Sequence, residues 1–138
     1  MQMKLAALGL VAAMIFTIAS AQQQPNDVVL LKATTTSAGQ PIVFPSANVE
    51  VTGTIGERPP GWSSPWHKHP YPRYHYVLDG TLTVEDESGK RTDYPAGSFS
   101  IEQVNTWHRA MNLGSKTAKW LYIDSAEAGK PNAIPKPK

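Results

Sequence analysis

Four histidines are the residues of this chain best suited to do chemistry, and three of them fall close together. His67 and His69 stand one residue apart in Trp66-His67-Lys68-His69, His75 follows beyond a Pro70-Tyr71-Pro72 bend, and His108 lies further along. On an extended strand, residues i and i+2 point to one face about 6.5 to 7 Å apart along the chain, so two imidazoles can converge on one ion. His75 comes just before Asp79-Gly80 and can return to that face. Cysteine is absent, which excludes thiolate ligation, iron–sulfur clusters, disulfides, a thiol nucleophile and an acylated lipoprotein anchor.

Aromatic residues cluster around the same histidines: Trp62, Trp66, Tyr71, Tyr74, Tyr76 and Trp107 each lie within a few positions of one. Flat rings beside a polar site suit the C–H faces of sugars, although a β-rich core or a dimer interface consumes the same residues. Other chemistries lack their motifs. There is no Gly-x-Ser-x-Gly elbow, no phosphate-cradling glycine loop ahead of a helix and no His-Glu-x-x-His. Glu85, Asp86 and Glu87 form the one acidic run and read as a solvated turn rather than a glycosidase pair.

The elements that must position these residues are short. The chain has 138 residues with 12 prolines and 10 glycines, enough for one domain, and no segment repeats apolar residues at helical spacing for three turns. Alternating or β-branched runs recur instead at Val28 to Leu31, Ile42 to Phe44, Val49 to Ile55, Tyr74 to Leu78, Thr81 to Val84, Ser98 to Ile101, Trp107 to Met111 and Ala118 to Ile123. The expected fold is therefore all-β, as a sandwich, a jelly roll or a small barrel. Asp79-Gly80 reads as a tight hairpin turn, and Glu87-Ser88-Gly89-Lys90 as a second turn. Thirteen basic residues against 11 acidic ones leave a formal charge of +2 with no basic patch, so nucleic acid is not an expected partner.

At the N-terminus, Lys4, an apolar run from Leu5 to Ala19 and Ala19-Ser20-Ala21 have the pattern of a secretory signal peptide. The run is shorter than the roughly 20 residues a spanning helix needs. The expected organisation is residues 1–21 as a cleaved signal, 22–125 as the folded domain and 126–138 as a flexible C-terminal tail. The protein would be secreted or periplasmic, with no membrane association after cleavage.

The spacing resembles the cupin superfamily, whose small barrels carry two motifs. For the first, Gly61 is followed by five residues, His67-x-His69 and a closing Gly80. For the second, Gly97, His108 and Asn112 fall in register, while Gln103 and Asn105 replace a proline and a glycine. The resemblance covers about Gly53 to Ile123 and implies a single-domain jelly-roll β-barrel with His67, His69 and His108 as ligands of one mononuclear metal ion. The position where the family carries a glutamate is Arg73, which cannot coordinate a metal because its guanidinium has no free lone pair. Either His75 or water would then complete the shell, and Arg73 would be available for an anionic substrate.

A histidine-only set suits copper best in an exported protein, with iron or zinc as the other choices. The resemblance extends to small exported cupins, among them a copper-dependent type that cleaves cellulose oxidatively. It implies an oxidoreductase using dioxygen or peroxide on a carbohydrate or small molecule, with Trp62, Trp66, Tyr71, Arg73, Tyr74 and Trp107 at the substrate. A three-histidine iron dioxygenase and a non-catalytic metal- or sugar-binding module are the alternatives. The family also implies a homodimer.

Overall fold

The computed structural model describes residues 26–46 and 48–138, so the signal-peptide reading of 1–21 lies outside the described residues. Among the described residues, nine strands follow one another with no helix between them: β1 (Val49–Arg58), β2 (His67–Lys68), β3 (Arg73–Asp79), β4 (Thr81–Asp86), β5 (Arg91–Pro95), β6 (Phe99–Ile101), β7 (His108–Met111), β8 (Ala118–Glu127) and β9 (Ile134–Pro135). They form two antiparallel sheets, ordered β1-β8-β3-β6 and β5-β4-β7-β2-β9. This is the all-β jelly-roll arrangement expected from the sequence. Among the described residues no helix is long and apolar enough to cross a membrane.

Strand alternation sets what faces inward. On β8 the inward series is Ala118, Trp120, Tyr122 and Asp124, and on β3 it is Val77, His75 and Arg73, with Val77 opposite Trp120, His75 opposite Tyr122 and Arg73 opposite Asp124. Both strands thus run from apolar to polar along the interior. The apolar end is the core: Val77, Leu82, Val84, Ala110, Ala118 and Trp120, with Trp62 packed edge-on against Trp120 at 6.2 Å between ring centres. The polar end is where the histidines meet.

Three expectations change. Asp79-Gly80 is not a hairpin turn, because β3 and β4 belong to different sheets and do not pair. A two-residue type I′ turn needs positive φ at both positions, and only Gly80 has it, at 73°. The dipeptide is instead a corner between sheets, packed so closely on β8 that a Cβ at Gly80 would lie 2.9 Å from that of Ala118. Val28 to Leu31 and Ile42 to Phe44 form no strand; this arm is tied down by single contacts such as Ser37 N–H to the Ile101 carbonyl, 2.8 Å. The third change concerns residues 126–138. Rather than a solvated tail, they complete β8 and add β9, which pairs with β2 through His67↔Pro135 and Lys68↔Ile134.

Candidate metal centre

His67 on β2 and His108 on β7 are direct cross-strand partners, and His69 follows β2 on the same face. Their ring centres lie 4.6 to 5.0 Å apart, and one ligand nitrogen from each falls within 4.8 Å of the others. Each ring is oriented by a backbone carbonyl. Nδ1 of His67 bonds to Pro65 O at 2.8 Å, Nδ1 of His108 to Thr106 O at 2.8 Å, and Nδ1 of His69 to Asn132 O. A neutral imidazole that donates from Nδ1 keeps its lone pair on Nε2. The backbone therefore selects the tautomer in which all three rings can bind a cation through Nε2.

The sequence reading missed the residue at the centre of this group. Glu102, just beyond β6, is buried, with Oε2 2.8 Å from His69 Nε2 and 3.6 Å from His108 Nε2, and Oε1 3.5 Å from His75 Nδ1. Its N–H donates to the Arg73 carbonyl at 2.8 Å. The carboxylate absent from position 73 thus comes from the neighbouring strand, one ladder rung across. The only trace in the sequence is an acid set between Ile101 and Val104, outside any turn.

Several atoms here lack a hydrogen-bond partner: both Glu102 oxygens, Nε2 of His69 and His108, and Nδ1 of His75. A lone pair on His69 Nε2 facing a carboxylate oxygen at 2.8 Å is repulsive unless a proton or a metal ion lies between them. Buried unpaired polar groups cost about 1–3 kcal/mol each, and a divalent cation would satisfy Nε2 of His69 and His108 and an oxygen of Glu102 at once. Three imidazoles and a carboxylate fit such an ion.

The protonation tendencies follow from the geometry. Burial pushes His67 down to about 4 against the opposing pull of the Pro65 carbonyl, so its ring is neutral. Burial also lowers His75, against the attraction of Glu102. Burial would lower His108, but the adjacent Glu102 carboxylate and the Thr106 carbonyl outweigh it and raise the ring. Glu102 lies well below the usual carboxylate range: burial alone would raise it, but His75, His108 and His69 outweigh that.

Of the other residues named from sequence, His75 is outside the three-histidine group; it flanks Glu102 and lies tilted against Tyr122, 5.8 Å between ring centres. Arg73 is committed elsewhere, since its Nε and Nη2 grip Asp124 at 2.8 and 2.7 Å while its guanidinium lies 4.6 Å from the Tyr122 ring centre. Trp62 and Arg73 line a cavity of about 270 Å³ that His67, His75 and Glu102 also reach. The remaining aromatics stand outside that cavity. Trp66 packs under Arg109, Tyr71 donates to Glu127 at 2.8 Å, Tyr74 stacks on Phe99, and Trp107 lies beside Lys68. Trp120, Tyr122 and Arg58 take their place in the lining.

Fold and site together define a jelly-roll protein with a buried three-histidine group able to hold one metal ion. The sequence matches the cupin domain family over residues 55–124, about half of the chain, and the chain belongs to that family. No curated protein sequence matches it. Among solved structures, the polyketide cyclase RemF from Streptomyces resistomycificus is 20% identical with a TM-score of 0.55, over 67% of this chain and 64% of the cyclase. A double-stranded β-helix protein from Klebsiella pneumoniae is 22% identical at a TM-score of 0.53, covering 66% of this chain and 78% of its own. An oxalate decarboxylase from Lactobacillus farciminis is 19% identical at 0.51, covering 62% of this chain and 26% of its own. These likenesses establish the fold; the chain spans less than two thirds of the cyclase.

Proposed function

We propose that this cupin is a mononuclear metal enzyme acting on a small molecule, with the ion held by Nε2 of His67, His69 and His108 and by the Glu102 carboxylate. The observation that carries this reading is the set of buried, unpartnered Nε2 and carboxylate atoms facing one another beside a cavity. Such a centre supplies Lewis-acid or redox activation when loaded. Three nitrogens and one oxygen suit iron, zinc, nickel, copper or manganese.

The chain's own contributions follow from the lining. Trp62, Trp120 and Tyr122 exclude water and seat an apolar body, while His75 Nδ1 faces the second oxygen of Glu102 at 3.5 Å. A volume near 270 Å³ lies just below the usual range of ligand pockets, roughly 300–1,000 Å³, and suits a small molecule better than a polymer. Copper and cellulose lose their supports, since Glu102 adds a carboxylate to the donor set and Trp66, Tyr71, Tyr74 and Trp107 stand outside the cavity. Export directed by residues 1–21 remains part of the proposal, as does a homodimer covering Val49, Val51 and Ile55, which are exposed on the edge strand β1.

Metal analysis tests the core of this reading. The full domain should bind about one divalent transition ion per chain. Glu102→Gln, which keeps the shape and removes the charge, should weaken that ion by at least tenfold, about 1.4 kcal/mol, and His108→Ala should abolish binding. Unchanged metal content in both variants would overturn the assignment.

A further inference from the structure

Arg58 is the one arginine among the described residues without a carboxylate partner. Arg73 is paired with Asp124, and Arg91 and Arg109 share Glu85. The Arg58 guanidinium instead lies 4.5 Å from the Trp62 ring centre and 5.9 Å from that of Trp120. Its Nη1 donates to the Glu57 carbonyl at 3.0 Å, and its Nε is buried with no hydrogen-bond partner. The neighbouring acid does not help, because the Glu57 carboxylate pairs with Lys119 at 3.0 Å.

This placement is built into the strand. Positions 56 and 58 share the inward face of β1, and Gly56 lies opposite Trp120. A Cβ at Gly56 would fall 2.8 Å from Arg58 Nη2 and 3.0 Å from Cζ, so the missing side chain is the space the guanidinium occupies. Trp62 holds its face. A positive group pinned on two sides, beside aromatic walls and short of a counter-charge, is a preorganised anion receptor; guanidinium matches a carboxylate bidentately.

We infer that Arg58 anchors the carboxylate of the substrate, a small, flat, apolar monocarboxylate whose body lies against Trp62, Trp120 and Tyr122. The inference rests on the reading of the cavity as the substrate site. Pairing and shape decide between anions. Asp124 already grips Arg73 and Glu102 belongs to the metal centre, so Arg58 is the one guanidinium of the lining left open, and its planar fork matches the two oxygens of a single carboxylate. The apolar lining disfavours a sugar, whose hydroxyls would lose water without gaining partners.

The probes are benzoate and its neutral counterpart benzamide, titrated calorimetrically into the domain with and without bound zinc. Benzoate should bind at least tenfold more tightly than benzamide. Arg58→Gln should weaken benzoate by at least tenfold and leave benzamide and zinc content unchanged. Gly56→Ala, which displaces the guanidinium without removing it, should shift benzoate in the same direction, and it keeps the idea testable if Arg58→Gln does not fold. Equal affinity for the two probes, benzoate affinity insensitive to both variants, or no benzoate binding at millimolar concentration would overturn the anchor. Arg58-dependent benzoate binding in a domain that takes up no metal would refute the metal-centre reading and leave the anchor standing. Normal zinc loading with benzoate held independently of Arg58 would do the reverse.

Discussion

Deleting residues 131–138 separates a tail from a structural part of the metal centre. The segment supplies the Asn132 carbonyl that accepts from His69 Nδ1, the Asn132 amide that donates to Asp124 at 2.7 Å, the Asn132 Oδ1 that accepts from Tyr71 N–H at 3.2 Å, and the Lys136 N–H that donates to Trp66 O at 2.8 Å. At a net of about 1 kcal/mol per hydrogen bond these sum to roughly 4 kcal/mol. The deleted residues no longer have to be ordered on folding, at about 1–2 kcal/mol of backbone entropy each, which opposes that loss, so the metal-free domain should lose no more than about 4 kcal/mol of stability. Metal affinity should not be spared. Losing the partner that orients a ligating histidine typically costs 10–100-fold, about 1.4–2.8 kcal/mol. The assay is competition for the metal against a chelator, run beside thermal unfolding of the metal-free proteins. Asn132→Ala is the control, since it keeps the backbone carbonyl and should lose far less affinity than the deletion. Equal metal affinity in the full and shortened chains would refute the structural role given to this segment.

Three further outcomes follow from the packing. Asp124→Asn strips Arg73 of a bidentate partner in a largely buried pair and should cost roughly 3 kcal/mol in urea unfolding. Burial would raise the Asp124 carboxyl, but Arg73 outweighs it and holds it below its ordinary value of 3.8, so its stabilisation is complete above that pH and lost as pH falls through the folded value. The variant should therefore show a shallower loss of stability in acid, and an unchanged acid limb would contradict this account. Trp120→Ala should destabilise by about 3–5 kcal/mol, because the ring is 2% exposed at the centre of the core. A stable variant by chemical denaturation would mean that the core is misplaced. Gly80→Ala combines a φ of 73° with a 2.9 Å approach to Ala118 and should cost about 1–3 kcal/mol. Adding Ala118→Gly should relieve the clash and leave the backbone strain, a partial rescue that equilibrium unfolding can resolve.

What the sequence by itself determined is what depends on neighbours along the chain. Alternation with period 2 marks β1, β3, β4, β6, β7 and β8, and the His67-x-His69 spacing puts two rings on one face, because both are consequences of backbone geometry over a few residues. The turn at Glu87-Ser88-Gly89-Lys90 is local in the same sense: Asp86 N–H reaches the Lys90 carbonyl at 3.1 Å, and Gly89 takes positive φ. The tertiary structure alone decided the rest. Position 73 and Glu102 are separated by a long stretch of chain yet become cross-strand neighbours when β6 pairs with β3, so a carboxylate missing from one strand is supplied by the next. The aromatics are redistributed for the same reason. Proximity in sequence to a histidine brings only Trp62 to the cavity, whereas Trp120 and Tyr122 reach it because β8 lies beside β3, with Val77 opposite Trp120 and His75 opposite Tyr122. The 126–138 segment has a solvated composition, but β2 offers it a free edge and His69 a donor. Its order comes from hydrogen bonds to distant partners, which no local pattern encodes.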